Sequence, residues 1–475
     1  MKQDITMMSA IQLAQCIREQ QITVVEVVTT FLEKIDRINP KINAFVTIMR
    51  DEALQQAHEA DQAIANGQPL GVIHGVPVAI KDLTPVKDVR YTMGSKLFEH
   101  QIADRDAIVV ERIRAAGGII IGKTNTPEFG HKGTTDNLVF GASRNPWHLD
   151  RITGGSSGGS SAAVAAGLVP LAEGTDGGGS IRIPAALCGV FGYKPTYGKI
   201  PMDIFGPFSS QAPFLHYGPI ARTVEDATLL YDIMAGPDTS DAFTTEPHQA
   251  VYPVLEQDIS SLKVAYSKGF GFFNVTSEVQ QACDQAAETF RTLGCQVDDI
   301  TFAFEQPKEN IEQVWFDLWC GLLASSFHDL PPEQMALLEP KVQEWIALGT
   351  EMSATEYLKA YNDRDQTFNA LKKVLDEYDV IITPTTAMTA FPIAIWGPEE
   401  INGEAINPMH GWFLTYLLNL TGHPAASLPV GFDQEGLPIG LQIIGNRLDD
   451  ATVLQASRAF ERVANWYTSY EKIQL

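Results

Sequence analysis

Near the N-terminus apolar residues recur at helical spacing: Val24, Val27, Val28, Phe31, Leu32, Ile35 and Ile38 share one face, behind a capping box made by Thr23 and Glu26. This stripe predicts a helix ending before Pro40, and a second helix is predicted over 51–64, stopped by Gly67. Together they predict a helical layer packed on something else. From Gly71 the pattern changes to short apolar runs, Val78–Ile80, Ile119–Ile121 and Leu168–Leu171, each separated from the next by a helix-length segment. Such alternation predicts an α/β sheet. Further on, the pattern predicts a strand at Val264–Tyr266, a helix over 278–293 stopped by Gly294, and a helix from Ser353, capped by Glu356, to about Glu377. A buried strand is predicted at Val380–Thr383, and a hairpin at Ala426–Val430 and Ile439–Ile444 around the turn Asp433-Gln434-Glu435-Gly436. The polar, turn-rich stretch 236–262 reads as a long connection.

Composition narrows the chemistry. The 475 residues are 45% hydrophobic and 19% charged, enough to bury a large core and unlike a disordered or fibrous chain. With 34 Lys plus Arg against 58 Asp plus Glu, the net charge of −24 repels phosphate backbones and anionic lipid. Nucleic acid and membrane surfaces are therefore not expected partners; a small neutral or cationic molecule is. Cys16, Cys188, Cys283, Cys295 and Cys320 are scattered, with no metal-ligand spacing, so reduced packing thiols, a cytoplasmic setting and no metal are expected. The N-terminus shows no secretory signal, and no run approaches the ~18 apolar residues of a membrane helix.

Three glycine-rich segments carry the candidate chemistry. Gly117 to Thr124 satisfies the phosphate-loop pattern G-x-x-x-x-G-K-[ST], but a helix-like run over 107–116 precedes it and Ile119, Ile120 and Ile121 call for a buried strand, so a nucleotide site using Lys123 is disfavoured. Gly154-Gly155-Ser156-Ser157-Gly158 matches a nucleophile elbow, yet the strand an elbow requires is replaced by a loop over 145–153. The following Ala162–Ala166 predicts a packed helix whose N-terminus is the Gly/Ser loop, with backbone amides open to an anion or oxyanion. In the third segment, Asp176-Gly177-Gly178-Gly179-Ser180, glycines let several consecutive N–H groups point at one spot beside the serine oxygen.

The run GGSSGGSSAAVAAGLVPLAEGTDGGGSIRIPAALCGVFGYKPTYGKIP closely resembles the signature of the amidase signature family, serine hydrolases that use Ser, cis-Ser and Lys. Similarity extends to GVPVAIKDL, IIIGKTNTPEFG, ITPT and NLTGHPAASLPVGFDQEGLPIGLQIIG, and so spans most of the chain. The resemblance implies a large mixed twisted β-sheet covered by helices on both faces, arranged as one amidase domain over 1–475. Within it, 1–70 would be an N-terminal helical layer, 71–235 the signature core, 236–262 the connection, and 263–475 the part completing the sheet and substrate pocket. It also implies Ser180 as nucleophile, Ser156 as bridging serine after a cis Gly155–Ser156 peptide, and Lys81 as base. Gly177, Gly178, Gly179 and Ser180 would supply oxyanion amides, with Ser157, Asp176 and Arg182 supporting.

The chemistry stands independently of the resemblance. A serine hydroxyl needs a base, and lysine serves only when neutral, which burial among Val78, Ala79 and Ile80 favours. Alternation along a strand turns Asp82 to the opposite face. The expected reaction is hydrolysis of an amide C–N bond through an acyl-enzyme, with no cofactor, by a monomer or homodimer. Ammonia-delivering family members usually carry Asp-Thr-Gly-Gly-Ser; here Gly177 replaces the threonine, which resembles instead the branch near 6-aminohexanoate cyclic-dimer hydrolases. Trp315, Phe316, Trp319, Trp412, Phe413 and Tyr416 are candidates for an apolar acyl pocket. The alternatives are an amidotransferase A-type subunit, a Ser-His-Asp esterase built on Ser156 with His216, His328, His410 or His423, and a silent binding protein. Cys188, with no histidine nearby in sequence, is expected to be packing.

Overall fold

A computed structural model describes residues 4–204, 214–244 and 247–475. Its strands are β1 (Phe45–Ile48), β2 (Pro77–Lys81), β3 (Ile119–Thr124), β4 (Arg144–Asn145), β5 (His148–Ile152), β6 (Leu171–Asp176), β7 (Phe191–Lys194) and β8 (His216–Ala221), followed by β9 (Lys263–Tyr266), β10 (Gln296–Asp299), β11 (Val380–Pro384), β12 (Glu400–Ile401), β13 (Glu404–Ala405), β14 (Ala425–Phe432) and β15 (Pro438–Gly445). Eleven of them form one sheet in the order β1-β3-β2-β6-β8-β7-β14-β15-β11-β9-β10. The sheet is mixed: β2 runs parallel to β3 and β6, whereas β6, β8, β7, β14, β15 and β11 pair antiparallel in turn.

Both faces are buried, and the alternation of side chains explains how. Along β11, Val380 and Ile382 join one core cluster while Ile381 joins another; along β15, Ile443 and Ile444 divide the same way. The first face is covered by α1 (Ala10–Arg18), α2 (Val24–Ile42), α3 (Arg50–Ala65), α4 (Ile108–Ala115), α5 (Gly158–Ala165), and, after α6 (Arg182–Cys188), by α7 (Val224–Met234) and α8 (Ser277–Thr292). The second cluster is built from α9 (Lys308–Phe327), α11 (Pro340–Glu351) beyond the short α10 (Pro332–Met335), α12 (Ala354–Leu375) and α13 (Tyr416–Thr421); α14 (Asp450–Ala464) returns to the first.

Most predicted elements are present, with two shifts, while the stretch 145–153 expected to be a loop carries β5, paired with β4 apart from the main sheet. The Thr23/Glu26 capping box forms, but α2 continues through Pro40 to Ile42 and stops at Asn43, which takes the left-handed conformation. A proline in the last turn forfeits only one backbone bond, and the buried side chains of Ile38 and Ile42 hold that turn on the core. The strand expected at Leu168–Leu171 begins at Leu171, because the apolar run straddles the turn leaving α5 and Pro170 cannot donate to a ladder. The Ser353/Glu356 box caps α12, and the hairpin of β14 and β15 pairs through residues 425–432 and 438–445.

Candidate active site

The site is assembled where β2 and β6 lie side by side. Lys81 is the last residue of β2, wholly buried, and its Nζ lies 2.6 Å from Ser156 Oγ, 2.9 Å from Ser157 Oγ and 2.8 Å from Thr175 Oγ1. Burial pulls the ammonium down to about 7, against the raising influence of Glu173 and Asp176. Asp82 does not oppose this: it turns away to bond Lys123 at 3.0 Å and Thr92. Glu173, two residues before Thr175 on the same face of β6, accepts from the Lys81 backbone N–H at 2.9 Å and from the Thr84 hydroxyl at 2.9 Å, and burial raises its carboxyl. Thr175 and Glu173 are not among the residues expected from the sequence; polar residues at alternate positions of a wholly buried strand were the available signal.

Ser156 follows a cis Gly155–Ser156 peptide, and Ser157 immediately precedes α5. Ser157 donates its hydroxyl proton to the Thr175 carbonyl at 3.1 Å and its N–H to the Ser180 carbonyl at 3.0 Å, which locks the two serine loops together. The open helix N-terminus expected here is closed instead: Gly158 N–H donates to Thr135 Oγ1 at 3.1 Å and Gly159 N–H to the Asn125 carbonyl at 3.3 Å.

Ser180 stands between β6 and α6. Asp176 accepts from the N–H groups of Gly179 at 2.7 Å and Ile181 at 3.1 Å, and pairs with Arg182 through Nε at 3.0 Å and a second nitrogen at 2.9 Å. Burial pushes the Asp176 carboxyl up, but Arg182 and Asn419 outweigh it and hold the group well below the usual carboxylate range. Of the four amides expected to face an oxyanion, that of Gly179 is thus engaged by Asp176; those of Gly177, Gly178 and Ser180 have no hydrogen-bond acceptor among the described residues. Gly179 has φ +127°, and a Cβ there would sit 1.9 Å from Thr415 Oγ1, so no other residue fits.

Ser156, Thr175, Gly177 and Ser180 open onto a cleft. Its walls include Leu83, Met93, Phe129, Leu215, Leu322 and Phe327, and no charged side chain is among the described residues lining it. Of the aromatics singled out in the sequence, Trp319 lines the cleft. The others do not, because their spacing serves packing: Trp315 lies behind Gly178, Phe316 meets Trp345 edge-on at 5.1 Å, and Trp412, Phe413 and Tyr416 cluster with one another.

The competing motifs are placed elsewhere. Lys123 is buried in β3, paired with Asp82 and 5.2 Å from the Tyr91 ring, with no phosphate loop around it. None of the four histidines bonds either serine: His216 faces Lys194 and the Asp176 and Phe214 carbonyls, His328 the Ala324 carbonyl, His410 the Glu312 carboxylate, and His423 the Thr421 hydroxyl. Cys188 packs against the Thr153 carbonyl at 3.4 Å, with burial holding its thiol up.

The family model described as Amidase matches residues 26–454. The chain belongs to the amidase family. This amidase is 38% identical over 469 residues to an acylamidase of Rhodococcus erythropolis, covering 98% of this chain and 97% of the relative. It is 34% identical over 492 residues to the A-type subunit of the glutamyl-tRNA(Gln) amidotransferase of Carboxydothermus hydrogenoformans, covering 98% and 99%. Among solved structures, a bacterial aryl acylamidase of the amidase signature family superposes with a TM-score of 0.93 at 33% identity, covering 98% of both chains. A 6-aminohexanoate cyclic dimer hydrolase superposes with a TM-score of 0.88 at 28% identity, also covering 98% of both. The amidase is accordingly a hydrolase of the amidase signature family, with the mixed sheet that the resemblance implied.

Proposed function

We propose that this amidase hydrolyses amides of apolar acids through an acyl-enzyme on Ser180, with neutral Lys81 as the base and Ser156 as the relay. The observation that carries the reading is the set of three hydroxyls around Lys81. Ser157 spends its own proton on the Thr175 carbonyl, so it accepts from Lys81. A neutral amine has two protons, which go to Ser157 and Thr175, and its lone pair is then left for the Ser156 proton at 2.6 Å.

As Ser180 Oγ attacks the amide carbonyl, its proton passes to Ser156 and the proton of Ser156 passes to Lys81. The amides of Gly177, Gly178 and Ser180 receive the developing oxyanion, each such donor contributing about 2.7–4 kcal/mol. The same path returns a proton to the departing nitrogen, and water, activated in the reverse sense, releases the acid. Support for an apolar acyl group comes from the cleft, whose described lining carries no charged side chain, and from the acylamidase relatives. Glutamine, with a charged ammonium and carboxylate, would lose their hydration there without counter-ions, which disfavours the amidotransferase role. Five free cysteines fit the cytoplasmic setting we infer.

The test is labelling with a fluorophosphonate, mapping of the modified peptide, and a screen of anilides and aliphatic amides against glutamine. The adduct is expected on Ser180, absent from Ser180→Ala, with that variant losing turnover by about four orders of magnitude or more. An adduct on Ser156 that survives in Ser180→Ala, or glutamine as the preferred substrate, would overturn the reading.

A further inference from the structure

Two indoles converge on one carbonyl beside the nucleophile. Trp315 and Trp319, on successive turns of α9, donate their Nε1–H groups to the Gly177 oxygen at 3.1 and 3.3 Å. The next carbonyl, that of Gly178, accepts from Thr415 Oγ1 at 2.5 Å. Satisfying a buried indole needs one acceptor of any kind; here two indoles and a threonine grip consecutive carbonyls of the most pliable stretch in the site. In a trans peptide the N–H points opposite to the preceding C=O. Holding the Gly177 carbonyl toward α9 therefore turns the Gly178 N–H, which has no acceptor among the described residues, away from it. The fit is close, since a Cβ on Gly178 would come within 2.6 Å of the Trp315 ring.

We propose that Trp315 and Trp319 are positioning residues that aim the Gly178 amide at the reacting carbonyl oxygen, so that the glycine loop does not reorganise during the reaction. This rests on the reading of the Gly177–Ser180 amides as the oxyanion site. The same helix walls the cleft through Trp319, Leu322, Leu323 and Phe327, so the element that meets the acyl group also holds the amide loop.

Trp319 touches the cleft, so the test is made at Trp315, which does not line it. Trp315→benzothienylalanine keeps the ring shape and removes only the N–H, and Trp315→Phe is the second variant. Each is assayed for kcat and KM on one anilide, for the affinity of a trifluoromethyl ketone bearing the same acyl group, and for Tm. We expect kcat and ketone affinity to fall together by about ten- to a hundredfold, with KM within about twofold of the parent and Tm of the benzothienyl variant unchanged. Unchanged kcat, or a fall in kcat without a matching loss of ketone affinity, overturns the proposal. Ser180→Ala assayed alongside separates the two levels: turnover surviving in it would remove the underlying reading, whatever the tryptophan variants do.

Discussion

Lys81 is a buried amine to which the described residues offer three hydroxyls at its Nζ rather than a carboxylate. That choice has a pH signature. A base must be unprotonated, so kcat/KM is expected to fall as pH drops through about 7, where burial has brought the Lys81 amine, and to level off above it. The stability consequence lies in a higher pH window. Between about 7 and the ordinary lysine value of about 10.4, the unfolded chain holds a proton that the folded chain has released, so the cost of burying this group shrinks as pH rises. Lys81→Met should abolish turnover, and its Tm advantage over the parent should be largest below pH 7 and shrink toward alkaline pH; a difference independent of pH would contradict a depressed lysine. Arg182 presents the reverse case, a buried cation fully matched by Asp176, Asn419, Gln442 and the Thr415 carbonyl. Its removal leaves Asp176 buried and charged without its counter-ion, so Arg182→Met is expected to lose about 3–5 kcal/mol of stability in urea unfolding.

Among the elements, β6 and α9 divide the labour of the site. Strand β6 carries Glu173 and Thr175 to the Lys81 side and ends at Asp176, which organises the loop bearing Ser180. Helix α9 closes the cleft, and its last residue, Phe327, stacks on Phe129 at 4.5 Å. Phe327→Ala enlarges that wall, so the ratio of kcat/KM for a bulky aromatic acyl amide over that for a short one should rise by about tenfold. An unaltered ratio in a substrate series would place the acyl group elsewhere. Helices with full local signals were legible in the sequence: α2 and α12 carry capping boxes, α2 with a continuous apolar stripe behind it, and both form. Strands β7 and β8 were not, because Phe191–Lys194 and His216–Ala221 lack both an uninterrupted apolar run and alternation; burial on both faces gives them their conformation.

At the scale of the whole molecule, the strand order divides at a single seam. Strands drawn from residues before 222 form a contiguous block from β1 to β7, strands from residues after 262 form a block from β14 to β10, and β7 pairs with β14 between them. All three proposed catalytic residues lie in the first block, yet Arg182 reaches Thr415, Asn419 and Gln442 in the second. A fragment of residues 1–262 is therefore expected to unfold without a cooperative transition and to resist fluorophosphonate labelling, since it exposes the β7 edge and strands a buried guanidinium. Cooperative unfolding with normal labelling of the fragment would mean that the second block only encloses substrate.

The sequence by itself determined the α/β class and the glycine loops, which follow from local periodicity and glycine spacing; its resemblance to a known signature pointed to Lys81, Ser156 and Ser180 as the catalytic candidates. Only the tertiary structure decided that Thr175 and Glu173 flank Lys81, that Gly179 is tied to Asp176, and that Trp315 faces the Gly177 carbonyl rather than the cleft. Those relations join residues far apart in the chain. They are fixed by which strands lie side by side and where α9 packs, and neither is encoded in the pattern of any one segment.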